Sequence, residues 1–278
     1  MKNTTQQSRS PKTLENALLL TPRGDEVSWD GAIPEEWSQG RACFGGVLLA
    51  IAARACDSLV EQERSLRSVN VTYVAPAAPG PIVVKVEKIR EGGSVTHFGC
   101  RILQNEKTVT LFALAYGLIR EGCLSIPPLP LTWDGEPGVG HELPYIPPMT
   151  PQFTQHLEYR WTLDSVPFSG SEKAHVKGWI RPAIPIPVDA AQILMLLDAY
   201  PPPIWSKADR IFMASSLSSH FQIRNIPSSE ENPHPWFFYD GPASVVGQGY
   251  SDVQARLWHE DGTLVAVGMQ QFVDFSNR

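Results

Sequence analysis

Two segments of the chain are apolar on almost every side. Cys43–Leu59 (CFGGVLLAIAARACDSL) meets no charge until Arg54, and Asp189–Tyr200 (DAAQILMLLDAY) carries charge only at Asp189 and Asp198. Each is long enough for a helix, and a helix apolar all round has to be buried. Each is followed by runs rich in β-branched residues. After the first come Leu66–Val74, Ile82–Arg90, Ser94–Gln104 and Thr108–Ile119, divided by Pro-Gly, Gly-Gly and Asn-Glu breaks. After the second come Ser215–Ile223, Trp236–Tyr239 with Ser244–Val246, Tyr250–His259 and Leu264–Phe275. These runs read as strands.

The order of elements repeats. The turn at Asn105-Glu106 corresponds to Asp261-Gly262, which sets Val109 on Val265. In the strand before that turn, Phe98, Cys100 and Ile102 match Val253, Ala255 and Leu257 at an offset one residue shorter, a difference that a bulge absorbs. A helix followed by antiparallel strands, twice over, is an α+β pattern. One fully apolar helix with several long strands suggests a sheet wrapped around that helix, the hotdog fold, and two copies make a double hotdog. A pseudo-two-fold arrangement would join the two sheets without an exposed inner edge. The expected units are an N-terminal hotdog over 16–125, a linker over 126–151 and a C-terminal hotdog over 152–278. The linker, IPPLPLTWDGEPGVGHELPYIPPMTP, is too rich in proline for a helix or a central strand. Its Trp133, Leu143, Tyr145 and Ile146 suggest that it packs on a surface. Residues 1–15 are polar and expected to fray.

Of the 278 residues, 42% are hydrophobic, enough for a substantial core. Only 19% are charged, below the usual share, so surface is expected to be covered within or between chains and a homo-oligomer is favoured. A net charge of −6 argues against a nucleic-acid partner, which requires a basic face. The longest apolar run, Cys43–Ala53, is far short of a membrane span. The opening MKNTTQQSRSPKTLEN lacks the apolar core of a signal peptide, and DFSNR at the other end matches no targeting signal. Cys43, Cys56, Cys100 and Cys123 form no CxxC and read as reduced structural thiols. A cytoplasmic location is expected on these grounds.

The chain has no GxSxG elbow, no GxxxxGK[ST] loop and no GxGxxG opening a helix. Its seven histidines show no HExxH and no i,i+4 pair, so neither a metal nor another cofactor is expected. Three features carry candidate chemistry. Asp198 ends an otherwise apolar helix, where burial and the helix macrodipole both disfavour its charge and make it more basic. The competing reading is an exposed carboxylate that ends the helix before Pro201. The run Ser215-Ser216-Leu217-Ser218-Ser219-His220-Phe221 is either a polar edge strand or a source of a hydroxyl aimed into a cleft. In Met269-Gln270-Gln271-Phe272 one amide must face inward, because strand neighbours alternate, and a buried amide needs partners.

CFGGVLLAIAARA, VNVTYVAPAAPG and VEKIREGGSVTHFGCRILQNEKTVTLFALAYG, followed by LLDAY, SSLSSHFQIRN and WHEDGTLVAVGMQQFV, resemble the two halves of the type II (TesB-like) acyl-CoA thioesterases. The resemblance spans about residues 20–275. It implies an acyl-CoA or other acyl-thioester substrate and a water held by an aspartate, a hydroxyl and a glutamine. These fall on Asp198, on Ser215 with Ser216 as the one-residue alternative, and on Gln270. The chain departs from the family in having serine for the commoner threonine, Asp198-Ala199-Tyr200 for Asp-His-Asn, and Arg224-Asn225 for Arg-Pro. On this reading Gly45-Gly46 lets backbone N–H groups meet the oxyanion, and Lys207 and Arg210 are candidates to meet the phosphates of the coenzyme. Two other readings are a hotdog dehydratase, isomerase or cyclase, with His97 or His220 as the acid, and a non-catalytic acyl-thioester-binding protein.

Overall fold

The alternation of buried and exposed side chains runs through nearly every long strand of the computed structural model. The structure describes residues 13–276 apart from 26, 62, 121, 123, 125, 134, 164 and 229–231. The first half contains β1 (Ser28–Ile33), helix α1 (Gly45–Asp57), β2 (Arg64–Tyr73), β3 (Gly80–Glu91), β4 (Val95–Gln104) and β5 (Lys107–Leu118). The second half contains β6 (Leu157–Trp161), β7 (His175–Pro182), helix α2 (Ala190–Leu197), β8 (Ala214–Ile223), β9 (Phe237–Gly247), β10 (Tyr250–His259) and β11 (Leu264–Asp274).

These strands form one sheet in the order β1-β3-β4-β5-β2-β8-β11-β10-β9-β7-β6, with a two-residue strand added at each end. Every pairing in it is antiparallel. Outward from the β2–β8 junction, the first half runs β2, β5, β4, β3, β1 and the second runs β8, β11, β10, β9, β7. That shared order is the repeat seen in the sequence. The offset mismatch has a local counterpart, since the ladder slips between Ile102 and Leu103 and again between Leu257 and Trp258. Both helices lie on the inner face of the sheet and touch each other. Val47 to Ala53 on α1 and Ile193 to Leu197 on α2 are buried in one continuous core. Val69, Val71, Val84, Phe98, Leu114, Phe221 and Leu257 point into it from the strands.

Several boundaries differ from those read in the sequence. Helix α1 starts at Gly45 because Cys43 pairs with Ser38 in a short ladder and Phe44 is extended. Helix α2 is shorter at both ends: the Asp189 side chain caps it by accepting from the Gln192 N–H at 2.8 Å, and Asp198 is its C-terminal cap. Trp236–Tyr239 and Ser244–Val246 belong to one strand, β9, because a bulge between Ala243 and Val245 carries the ladder past Pro242. β1, β6 and β7 were not among the strands read from the sequence.

The proline-rich segment 126–151 runs over the outer face of the second half. Leu131 and Trp133 pack on Trp179, Phe238 and Trp258, and the Trp258 indole N–H donates to the Leu129 carbonyl at 3.1 Å. Thr132 donates to Asp240 at 2.9 Å. Cys43, Cys56 and Cys100 are buried and free, while Cys123 and residues 1–12 lie outside the described residues. Among the described residues no helix is long and apolar enough to cross a membrane.

Candidate functional site

Asp198 stands where the C-terminus of α2 meets the N-terminus of α1. Two tyrosines hold this end of α2 in place. The Tyr159 hydroxyl donates to the Ala199 carbonyl at 3.0 Å, and the Tyr200 hydroxyl donates to the Trp179 carbonyl at 3.0 Å while its ring stacks on Tyr239. Asp198 keeps a small accessible surface, whereas Leu197 and Ala199 on either side of it are buried. Burial pushes its carboxyl up to about 7, against the opposing pull of hydrogen bonds from the Gln270 amide and the Gly46 N–H.

The two glycines at the start of α1 allow this approach. A Cβ on Gly45 would stand 2.7 Å from Asp198 Oδ2 and 2.8 Å from the Tyr73 hydroxyl oxygen. A Cβ on Gly46 would stand 3.0 Å from the Met195 carbonyl and would collide with the Phe44 ring. Without side chains here, the positive end of one helix dipole reaches the carboxylate at the negative end of the other.

Strand β11 supplies the amide. Gln270 is 8% exposed and points inward, while Met269 beside it is 55% exposed. Gln270 Nε2 donates to Asp198 Oδ1 at 2.8 Å and to the Ser216 hydroxyl at 2.9 Å. Gln271, its neighbour, lies on the opposite face.

The hydroxyl is the first point at which the sequence reading needs correction. Ser215 is exposed on the outer side of β8 and makes no hydrogen bond to Asp198 or Gln270. Ser216 is the residue that reaches Gln270. Ser216 pairs with Phe272 and Ser218 with Gln271, so a bulge separates them. The bulge restores the inward face at Ser219, and both Ser216 and Ser219 therefore lie on the side of Gln270.

The remaining candidates are distributed more widely. Gly46 gives its N–H to the Asp198 carboxylate, so it is engaged with the base itself. Lys207 Nζ donates to the Glu172 carbonyl at 3.0 Å, and Arg210 donates to the Ser276 carbonyl at 3.1 Å. Neither hydrogen-bonds to Asp198, Gln270 or Ser216. His97 is exposed on β4, and His220 pairs with Asn70 across the outer face, its Nδ1 2.7 Å from the asparagine oxygen. Among the described residues no group of three or more His, Cys, Asp or Glu side chains is placed to hold a metal ion.

Tyr73 was not singled out in the sequence, and Ser219 entered only as one member of the serine run. Alternation along β2 does put Tyr73 on the face of Val69 and Val71, but only the β2–β8 pairing, with Val71 opposite Ser219, brings it to this site.

Comparison with known proteins gives this geometry a family. The model of the acyl-CoA thioesterase N-terminal domain matches residues 33–117, and that of the acyl-CoA thioesterase C-terminal domain matches residues 128–273. A search of curated proteins finds no match. Among solved structures, a conserved protein with a hotdog fold from Alicyclobacillus acidocaldarius superposes with a TM-score of 0.85 at 21% identity, over 95% of this chain and 98% of that one. The tesB protein of Mycobacterium avium subs paratuberculosis gives 0.74 at 16% identity over 96% and 99% of the two chains. The acyl-CoA thioesterase II TesB2 of Mycobacterium marinum gives 0.70 at 17% identity over 94% and 96%. These structures share the hotdog-type α+β fold, and with both domain models matched in order the chain belongs to the acyl-CoA thioesterase family.

Proposed function

We propose that this thioesterase hydrolyses acyl-CoA with Asp198 as general base and with Gln270 and Ser216 holding the attacking water. The observation that carries the reading is a carboxyl pushed up to about 7 and tied through one amide to a hydroxyl on the next strand. A base with a pKa near working pH is both available and strong enough to take a proton from water. Asp198 accepts that proton as the water oxygen bonds to the thioester carbon. The tetrahedral intermediate then collapses, the carbon–sulfur bond breaks, and the proton on Asp198 passes to the departing sulfur. The products are the free acid and the free thiol.

Each half is read as a hotdog around its own helix, with the site between the halves and the acyl chain lying among the apolar residues of helix and sheet. Residues 126–151 serve as the linker. The dehydratase or isomerase reading is disfavoured because His97 and His220, its candidate acids, lie on the outer face. Thiol release from short, long, branched and aromatic acyl-CoAs tests the proposal. Release that requires Asp198 supports it. Rearranged acyl-CoA without free thiol, or saturable binding without turnover, refutes it.

A further inference from the structure

The hydrolase reading leaves one requirement unassigned. As water attacks, negative charge grows on the thioester carbonyl oxygen, and hydrogen-bond donors placed at that oxygen supply much of the catalysis. Two of the donors closest to Asp198 are already engaged. The Gln270 amide serves Asp198 and Ser216, and the Gly46 N–H serves the Asp198 carboxylate.

Two buried hydroxyls beside this group are not engaged in that way. Neither Tyr73 Oη nor Ser219 Oγ has a hydrogen-bond partner of good geometry among the described residues, although the two hydroxyls lie close enough for Ser219 to act on the phenol. A buried hydroxyl left unsatisfied is destabilising, so its presence beside a catalytic carboxylate calls for a reason, and a bound ligand supplies one. Their placement is specific. Tyr73 is the last residue of β2 in the first half, and Ser219 is on β8 in the second, where Val71 pairs with Ser219 and Thr72 with Ser218. The ladder therefore carries the tyrosine ring across the junction between the halves. Its oxygen and Asp198 Oδ2 both lie within 3 Å of the single point that a Gly45 Cβ would fill. The phenol oxygen and the carboxylate therefore flank Gly45 together. Burial, and then the nearby Asp198 charge, raise the phenol above its ordinary range against the opposing pull of Ser219, so it keeps its proton and acts as a donor.

We infer that the Tyr73 hydroxyl, supplied by the other half of the chain from Asp198, donates a hydrogen bond to the thioester carbonyl oxygen of the substrate and stabilises the charge that develops there. This assignment rests on the hydrolase reading of the Asp198 site. The phenol keeps its proton throughout, and the Ser219 hydroxyl adjoins it as a second, weaker donor.

Tyr73→Phe removes one oxygen and leaves the ring. It should lower kcat by about 10²-fold, the order seen on loss of one oxyanion donor, and raise KM by a smaller factor. The rise of activity with pH should stay where the parent has it, because Asp198 is untouched. Ser219→Ala should cost less. A second measurement does not depend on turnover: binding of an acyl-CoA analogue with CH2 in place of sulfur, which keeps the carbonyl, beside an alkyl thioether that lacks it. Tyr73→Phe should weaken the ketone by about 5–10-fold, the value of one neutral hydrogen bond, and leave the thioether unchanged. Equal ketone affinity for parent and variant overturns the assignment, as does an equal loss for both analogues, which marks a packing role. If the parent releases no thiol from any acyl-CoA, the hydrolase reading fails. The ketone and thioether pair then still decides whether Tyr73 binds a carbonyl oxygen.

Discussion

Replacing Asp198 with asparagine separates the catalytic and the structural consequences of burying a charge. The folded carboxyl sits at about 7, against 3.8 for the ordinary group. The folded state therefore binds more protons than the unfolded chain between about pH 4 and pH 7. Over that window the stability of the parent falls as pH rises, and the full penalty is present above pH 7. About three pH units correspond to ~4 kcal/mol at most. Asparagine is neutral throughout and close in shape, but it offers one acceptor fewer to Gln270 and Gly46, a loss of about 1–3 kcal/mol. Near pH 4 the parent carries a protonated Asp198, and the variant should be no more stable than the parent. By pH 8 the difference should have moved in the variant's favour by up to ~4 kcal/mol. Urea unfolding at the two pH values reads this shift directly. In parallel, kcat for thiol release should fall by roughly 10²-fold or more, the usual order for loss of a general base. The parent's kcat/KM should climb with pH and level off above about 7 as Asp198 ionises. A stability difference that is the same at both pH values, or parent activity flat from about pH 5 to pH 8, refutes the claim that a desolvated Asp198 is the base.

Five further substitutions test the geometry around it. Gln270→Ala removes both the bond to Asp198 and the bond to Ser216 and should slow turnover clearly, whereas Gln271→Ala, on the opposite face, should leave kcat within about twofold; equal effects in a kinetic comparison would show the strand register to be wrong. Ser216→Ala should reduce kcat by roughly tenfold and Ser215→Ala should not, because only the first hydroxyl reaches Gln270. Gly45→Ala drives a methyl group to 2.7 Å from Asp198 Oδ2 and should cost roughly 10–100-fold in kcat through misplacement of the base; a melting temperature near that of the parent would confirm that the loss is local.

Period-two alternation and the two uninterrupted apolar segments are local properties, and they were enough to imply strands wrapped on buried helices, twice over. The bare apolar helix also marked Asp198, because a charge in such a segment has few ways to be satisfied. Alternation along β11 required one of Gln270 and Gln271 to face the core, and the resemblance to the thioesterases pointed to Gln270. β8 is different. Its serines give little contrast between faces, so nothing local records the bulge between Ser216 and Ser218, and Ser215 was preferred to Ser216. β1 and β7 were passed over because Gly31 and Gly178 interrupt their apolar pattern, although pairing on both edges holds each as a strand. Engagement of the Gly46 N–H by Asp198 and the arrival of Tyr73 beside Ser219 depend on two helix ends meeting and on β2 pairing with β8. Those contacts join residues more than a hundred positions apart, and side-chain periodicity carries no information about which strand edge another strand will find. Only closing the two halves into one sheet decides it, because that closure is what buries both helices and leaves no inner edge unpaired.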